Sequence, residues 1–193
     1  MGFQEHDGSM CGRYVLKHSR EELQNAFGFA DSEATLVSRF NIAPTTQVPV
    51  VRQGEEGIRE LAFVRWGLIP SWAKPEAKLP LMINARSETI SEKPAFRSAY
   101  THRRCLFPVS GYYEWQKIPG GKQPFYIQRK DTEPLSLAGI WESWKAPDGQ
   151  TIFSAAIVTT AAATETAVIH DRMPVILPPA AWDLWMKPEP LSR

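Results

Sequence analysis

Arg104-Cys105-Leu106-Phe107-Pro108-Val109, Tyr112-Tyr113-Glu114-Trp115-Gln116-Lys117 and Phe125-Tyr126-Ile127-Gln128-Arg129 are three strand-like runs, with Pro119-Gly120-Gly121 between the second and third. Two more follow at 135–141 and 152–159, separated by Pro147-Asp148-Gly149. β-Branched and aromatic residues bounded by Gly/Pro turns read as strands. Five of them in close succession imply antiparallel pairing.

Upstream, Val48-Pro49-Val50-Val51-Arg52 and residues 58–66 are also β-like and flank Gly54-Glu55-Glu56-Gly57, the sign of a hairpin. Ser19 with Glu22 forms a capping-box pattern, and Leu23, Ala26 and Phe27 share one helical face before Gly28 ends the run. Short helices are expected around 87–100, 161–169 and 179–186. The class is therefore α+β: a strand-rich, barrel-like core with a mainly antiparallel sheet and short peripheral helices.

The chain has 193 residues, enough for one domain with a full core and short for two. Its net charge of +1 makes no general electrostatic case for nucleic acid, so a basic groove would have to come from local clustering. Cys11 and Cys105 are the two cysteines, too few for a disulfide framework and without the spacing of a zinc site. No metal and no cofactor are expected. Cys105 lies in an apolar run and reads as a small buried hydrophobe. With neither a signal peptide nor a long apolar run, the expected home is the cytoplasm, with no membrane partner. Residues 1–10 lack periodicity and read as a tag or an upstream start, outside the domain at 11–193.

Four polar or aromatic residues stand in settings that propensity does not explain. Asn84 in Asn84-Ala85-Arg86-Ser87-Glu88-Thr89 sits where an apolar run gives way to a helix start, as an N-cap or a functional amide. Alternation puts Glu114 on the face of Tyr112, either among aromatics, as a proton-transfer group, or toward solvent. His170 opens a polar loop, His170-Asp171-Arg172-Met173-Pro174, as a helix-terminal histidine or a loop catalyst. Trp72 lies in a proline-rich loop, as a core residue or as an indole that stacks on a base.

Cys11 follows Met10, so cleavage between them would expose an N-terminal cysteine with two adjacent nucleophiles. The α-amine has a reference pKa of about 7.7–8.0 and the thiol one of about 8.5. Together they can close a thiazolidine ring on an aldehyde. A Cys, a His and an Asn also suggest a thiol peptidase, in which Cys11, His170 and Asn84 would act on other proteins. A third reading is a non-covalent single-strand binder, which the near-zero net charge disfavours.

Taken together, Cys11-Gly12-Arg13-Tyr14, Asn41-Ile42-Ala43-Pro44-Thr45, Arg65-Trp66-Gly67-Leu68-Ile69-Pro70, Asn84 to Thr89, Gly111-Tyr112-Tyr113-Glu114-Trp115 and Ile169 to Pro174 resemble the SOS response-associated peptidase family. The resemblance runs from Cys11 to about Leu177. It implies a one-domain α+β protein of the DNA damage response that recognises abasic sites in single-stranded DNA. Such a protein bonds to them covalently through an N-terminal cysteine freed by self-cleavage, with an AP-lyase side activity. Cys11 would be the nucleophile and Asn84 would orient its amine and the sugar. Glu114 would act as general acid/base and His170 would assist at the sugar oxygen. Arg86 and Arg172 would grip phosphates, with Arg13 contributing to the same cationic floor, and Pro44, Trp72 and Thr159 would lie near the DNA or in the pocket. A monomer, nucleoid-associated when bound to DNA, is the expected state.

Three features depart from the family pattern. Ten residues precede Cys11 and block its amine. Ser71-Trp72 stands where two adjacent tryptophans are usual. The chain ends at Arg193, where the family usually continues through another strand, so a C-terminal truncation is expected.

Overall fold

The computed structural model describes residues 12–31 and 33–190. Cys11 and the segment before it lie outside the described residues. In chain order the elements are β1 (Arg13–Leu16), α1 (Arg20–Phe27), β2 (Arg39–Ile42), β3 (Gln47–Gln53), β4 (Arg59–Trp66), β5 (Asn84–Arg86) and α2 (Arg97–His102). Then come β6 (Arg104–Val109), β7 (Gly111–Ile118), β8 (Gly121–Ile127), β9 (Leu135–Lys145), β10 (Thr151–Ala161), α3 (Thr164–Ala167), β11 (Arg172–Pro174) and α4 (Trp182–Met186).

Five strands close a barrel in the order β10-β4-β3-β6-β9, with β9 pairing back to β10. The five clustered strand signals of the C-terminal half do not form one meander. β6 pairs with β9 across the intervening hairpin, while β7 and β8 leave to build a second sheet in the order β2-β1-β7-β8. Most pairs are antiparallel, but β10 runs parallel to β4 at Ser154↔Arg65 and to β5 at Ile157↔Asn84 through Thr159↔Arg86. The result is a mixed barrel.

β10 explains its own apolar composition. Residues 154–158 are buried on both faces, as a strand covered on both sides must be. Ala155 and Ile157 face the main core with Val48, Val64, Trp66, Phe107 and Leu137. Ala156 and Val158 face a second cluster with Ala85, Ile90, Phe96 and Ala99. Gly139 on β9 lets that strand press on β6, because an added Cβ would lie 2.5 Å from the Phe107 ring and 2.9 Å from the Cys105 sulfur. Cys105 itself is fully buried and burial pushes its thiol pKa up, in keeping with a small hydrophobe.

Helix α1 forms as its sequence predicts. The amide of Glu22 donates to the Ser19 hydroxyl at 3.2 Å and the Ser19 amide to the Glu22 carboxylate at 2.6 Å, while Leu23 and Phe27 are buried. Gly28 then takes the left-handed conformation, φ 63°. The helix expected at 87–100 shrinks to α2, because Pro94 has no N–H to donate and disfavours helical geometry at Lys93. Residues 87–92 and 94–96 form turns instead. The helix expected at 161–169 is only four residues long, and that at 179–186 is a 3-10 turn followed by α4. β8 starts earlier than the apolar run at 125–129, because Pro119-Gly120 makes a two-residue turn that pairs Ile118 with Gly121. Among the described residues no helix is long and apolar enough to cross a membrane.

Candidate active site and nucleic-acid interface

β5, β10 and β11 form a three-strand ledge at one end of β10. Asn84 and Arg86 flank the buried Ala85, so alternation turns both away from the core; Asn84 is half-buried and Arg86 exposed. Asn84 therefore opens a strand, which removes the N-cap alternative. Thr159, fully buried, pairs with Arg86 on one side and Pro174 on the other.

Arg172 lies across this ledge. Its Nη2 donates to the Thr159 carbonyl at 3.0 Å and approaches the Thr159 hydroxyl at 3.2 Å. The same guanidinium forks onto Glu88, at 2.5 Å from Nη1 and 3.0 Å from Nη2. The Arg172 side chain is 12% exposed and that of Glu88 48%. Hydrogen bonding from Arg172, a local backbone N–H and the nearby charges of Arg172 and Arg86 hold the Glu88 carboxyl down to about 2. Sequence reading gave Glu88 no role, although it stands inside a quoted motif, two residues after Arg86.

His170 follows α3, in the turn that leads to β11. Its amide donates to the Thr166 carbonyl at 3.1 Å, and its ring nitrogen Nδ1 accepts from the Arg172 amide at 3.1 Å. An oxygen of Asp171 stands 2.9 Å from the same nitrogen. The ring is thus fixed by the segment that carries Arg172.

Glu114 is 3% exposed on β7, on the face of the buried Tyr112, which overturns the solvent-facing alternative. Tyr113 and Trp115 take the other face, where Tyr113 packs 5.1 Å from Tyr126. Gln116, next on the Glu114 face, donates to the Val168 carbonyl at 2.6 Å, which ties β7 to the segment just before His170. A second tie joins β1 to β5. Tyr14 packs on Trp66 with ring centroids 5.2 Å apart, and the Trp66 indole donates to the Ile83 carbonyl at 3.1 Å, one residue before Asn84. These ties bring β7, β1, β5 and the His170 loop toward one region.

Trp66 also anchors Pro44. In the turn after β2, the Thr45 amide donates to the Trp66 carbonyl at 2.7 Å and the Trp66 amide to the Thr46 carbonyl at 3.0 Å. Thr45 adopts φ 69°, a costly conformation for a β-branched residue. Arg13 is half-buried on β1 opposite Tyr113, and its Nη1 donates to the Gly12 carbonyl. Trp72 is 57% exposed, which removes the core alternative, and its indole reaches the Pro94 carbonyl at 3.3 Å. Its loop is held by Trp144, whose indole donates to the Ala73 carbonyl at 2.7 Å. Among the described residues no cluster of three or more His, Cys, Asp or Glu could hold a metal ion.

Residues 10–193 match the family model described as SOS response associated peptidase (SRAP). Abasic site processing protein YoqW of Bacillus subtilis is 36% identical over 184 residues, spanning 93% of this chain and 81% of that protein. Abasic site processing protein YedK of Escherichia coli is 34% identical over 186 residues, with the same two shares. A crystal structure of a protein from Bacteroides thetaiotaomicron superposes with a TM-score of 0.83 at 28% identity, over 92% of this chain and 82% of that one.

Proposed function

The chain belongs to the SOS response associated peptidase family, and from that premise we propose that it captures abasic sites in single-stranded DNA through Cys11. The relatives YoqW and YedK are named abasic site processing proteins. The observation that carries the reading is Glu114, a carboxylate 3% exposed on the strand tied by Gln116 to the His170 segment. A surface strand needs no such residue, whereas proton transfer in a closed site does.

In this reading the peptide bond before Cys11 is cut by the protein itself and residues 1–10 are removed. The freed α-amine attacks the aldehyde carbon of the ring-opened sugar and one water leaves, forming an imine. The thiol then adds across the C=N bond: sulfur bonds to carbon, nitrogen takes a proton, and the thiazolidine closes. Glu114 moves the protons of both steps, Asn84 orients amine and sugar, and His170 assists proton transfer at the sugar oxygen during ring opening. Arg13, Arg86 and Arg172 bind flanking phosphates, with Pro44 and Trp72 lining the DNA path and the buried Thr159 supporting Arg172 from beneath. β-Elimination from the imine would account for lyase activity. The protein acts as a monomer.

The test is the intact mass before and after incubation with a single-stranded oligonucleotide carrying one abasic site. A mass beginning at Cys11, followed by an adduct that survives denaturation, is expected. Cys11→Ser should abolish the adduct, and Glu114→Gln should slow it by about 10²–10⁴-fold. An adduct that persists with Cys11→Ser would overturn the proposal. Peptide cleavage by a protein still carrying residues 1–10 would favour a thiol peptidase, which needs no free α-amine.

A further inference from the structure

We infer that Glu88 is a built-in stand-in for a backbone phosphate: in the free protein its carboxylate fills the guanidinium fork of Arg172, and a DNA phosphate binds there only by displacing it. The inference rests on the reading of DNA as the ligand given above.

A guanidinium presents paired donors that fit a carboxylate and a phosphate alike. Glu88 takes both terminal nitrogens of Arg172, at 2.5 and 3.0 Å. The two partners differ in how firmly they are held. Arg172 is 12% exposed and is fixed from behind by the Thr159 carbonyl and hydroxyl, whereas the Glu88 side chain is 48% exposed. The carboxylate can therefore swing into water while the cation stays where it is. Arg86, exposed two residues before Glu88, has no such partner among the described residues.

The exchange has a thermodynamic signature. A cation that meets a phosphate normally releases a condensed counterion from the nucleic acid, which makes binding salt-dependent. At Arg172 that release is offset, because Glu88 becomes an unpaired anion next to the strand. Arg172 then adds geometric positioning but little affinity and little salt dependence. Grip on undamaged strands is restrained, and discrimination is left to the covalent step at the aldehyde.

The experiment compares wild type with Glu88→Gln, measuring the affinity for an undamaged oligothymidylate by fluorescence anisotropy from about 50 to about 200 mM salt. Glu88→Gln should bind more tightly at low salt, and the slope of log K against log salt should steepen by about 0.7, the increment for one added phosphate contact on a single strand. In an Arg172→Gln background the same change should leave the slope unaltered. Glu88→Asp, which keeps the charge but shortens its reach, should fall between wild type and Glu88→Gln. An unchanged slope in Glu88→Gln, or an equal rise in the Arg172→Gln background, would overturn the inference while leaving DNA binding intact. No binding of the undamaged strand by wild type or variant would overturn the inference, whereas the DNA reading falls only if no adduct forms with the abasic oligonucleotide.

Discussion

The backbone N–H of Arg172 donates to Nδ1 of His170 at 3.1 Å. A neutral imidazole that accepts at Nδ1 must carry its proton on Nε2. In that tautomer His170 presents a hydrogen-bond donor on the far side of its ring. Asp171, 2.9 Å from Nδ1, becomes a hydrogen-bond partner of that nitrogen only when it too is protonated. Imidazole ¹⁵N shifts should report the Nε2–H tautomer. In adduct kinetics His170→Gln, whose amide reaches the Nε2 position, should retain more activity than His170→Asn. The opposite order would place the working nitrogen at Nδ1.

Trp72 is exposed, with one long hydrogen bond to Pro94. Trp72→Ala should leave folding stability within about 0.5 kcal/mol of wild type. Oligonucleotide binding should weaken by about 1–3 kcal/mol for each base that stacks on the indole. Equal affinity for the two proteins would mean that the strand does not pass over this loop. The neighbouring Ser71 supplies no second ring, so no further loss is expected from Ser71→Ala.

Arg104 holds the C-terminal segment to the barrel. It is 2% exposed, with Nη1 on the carbonyls of Tyr100 at 2.6 Å and Thr101 at 3.0 Å and Nη2 on that of Glu189 at 2.8 Å. Its guanidinium also donates to the carbonyls of Trp185 and Lys187. Burial lowers its pKa, and the ring of carbonyls replaces the lost water. Arg104→Met would strip the donor from several buried acceptors, so urea unfolding should show a loss of at least about 3 kcal/mol. A loss under about 1 kcal/mol would mean that water readily replaces the side chain.

The Glu88–Arg172 pair predicts a weak acid dependence. Folding lowers the Glu88 carboxyl from 4.5 to about 2, so the folded state favours the ionised form. The resulting stability is complete above about pH 4.5 and disappears as pH falls through about 2. Solvent exposure of the carboxylate limits it to about 1 kcal/mol or less. Glu88→Gln should lower stability at neutral pH by up to that amount, leave it nearly unchanged below about pH 2, and so flatten this limb of the profile. A larger effect would mean that the pair is more shielded than its exposure indicates.

Local chemistry was readable along the chain. Ser19 and Glu22 announced α1 because a capping box is satisfied within four residues, and Pro119-Gly120 announced the β7–β8 turn because its backbone preferences are local. Alternation alone put Glu114 on the face of Tyr112. The helix expected from Ser87 onward gave way to turns on both sides of Pro94, and the N-cap alternative for Asn84 fell because three residues of strand have no periodicity to detect.

Long-range pairing was not readable. β5 is a strand only because β10 offers it an edge, and that parallel register sets Arg86 against Thr159 and leads on to Arg172. The fork between Arg172 and Glu88 spans 84 positions in sequence, and no local preference encodes it. By itself, then, the sequence determined the longer strands, α1, the strand-rich class and the residues able to carry chemistry, since these depend on propensity, turns and side-chain identity. Only the tertiary structure decided that the barrel closes through β9 and β10, that Glu114 is buried and that Arg172 already holds an anion. Those features arise from register and packing between distant segments, which exist only once the chain has folded.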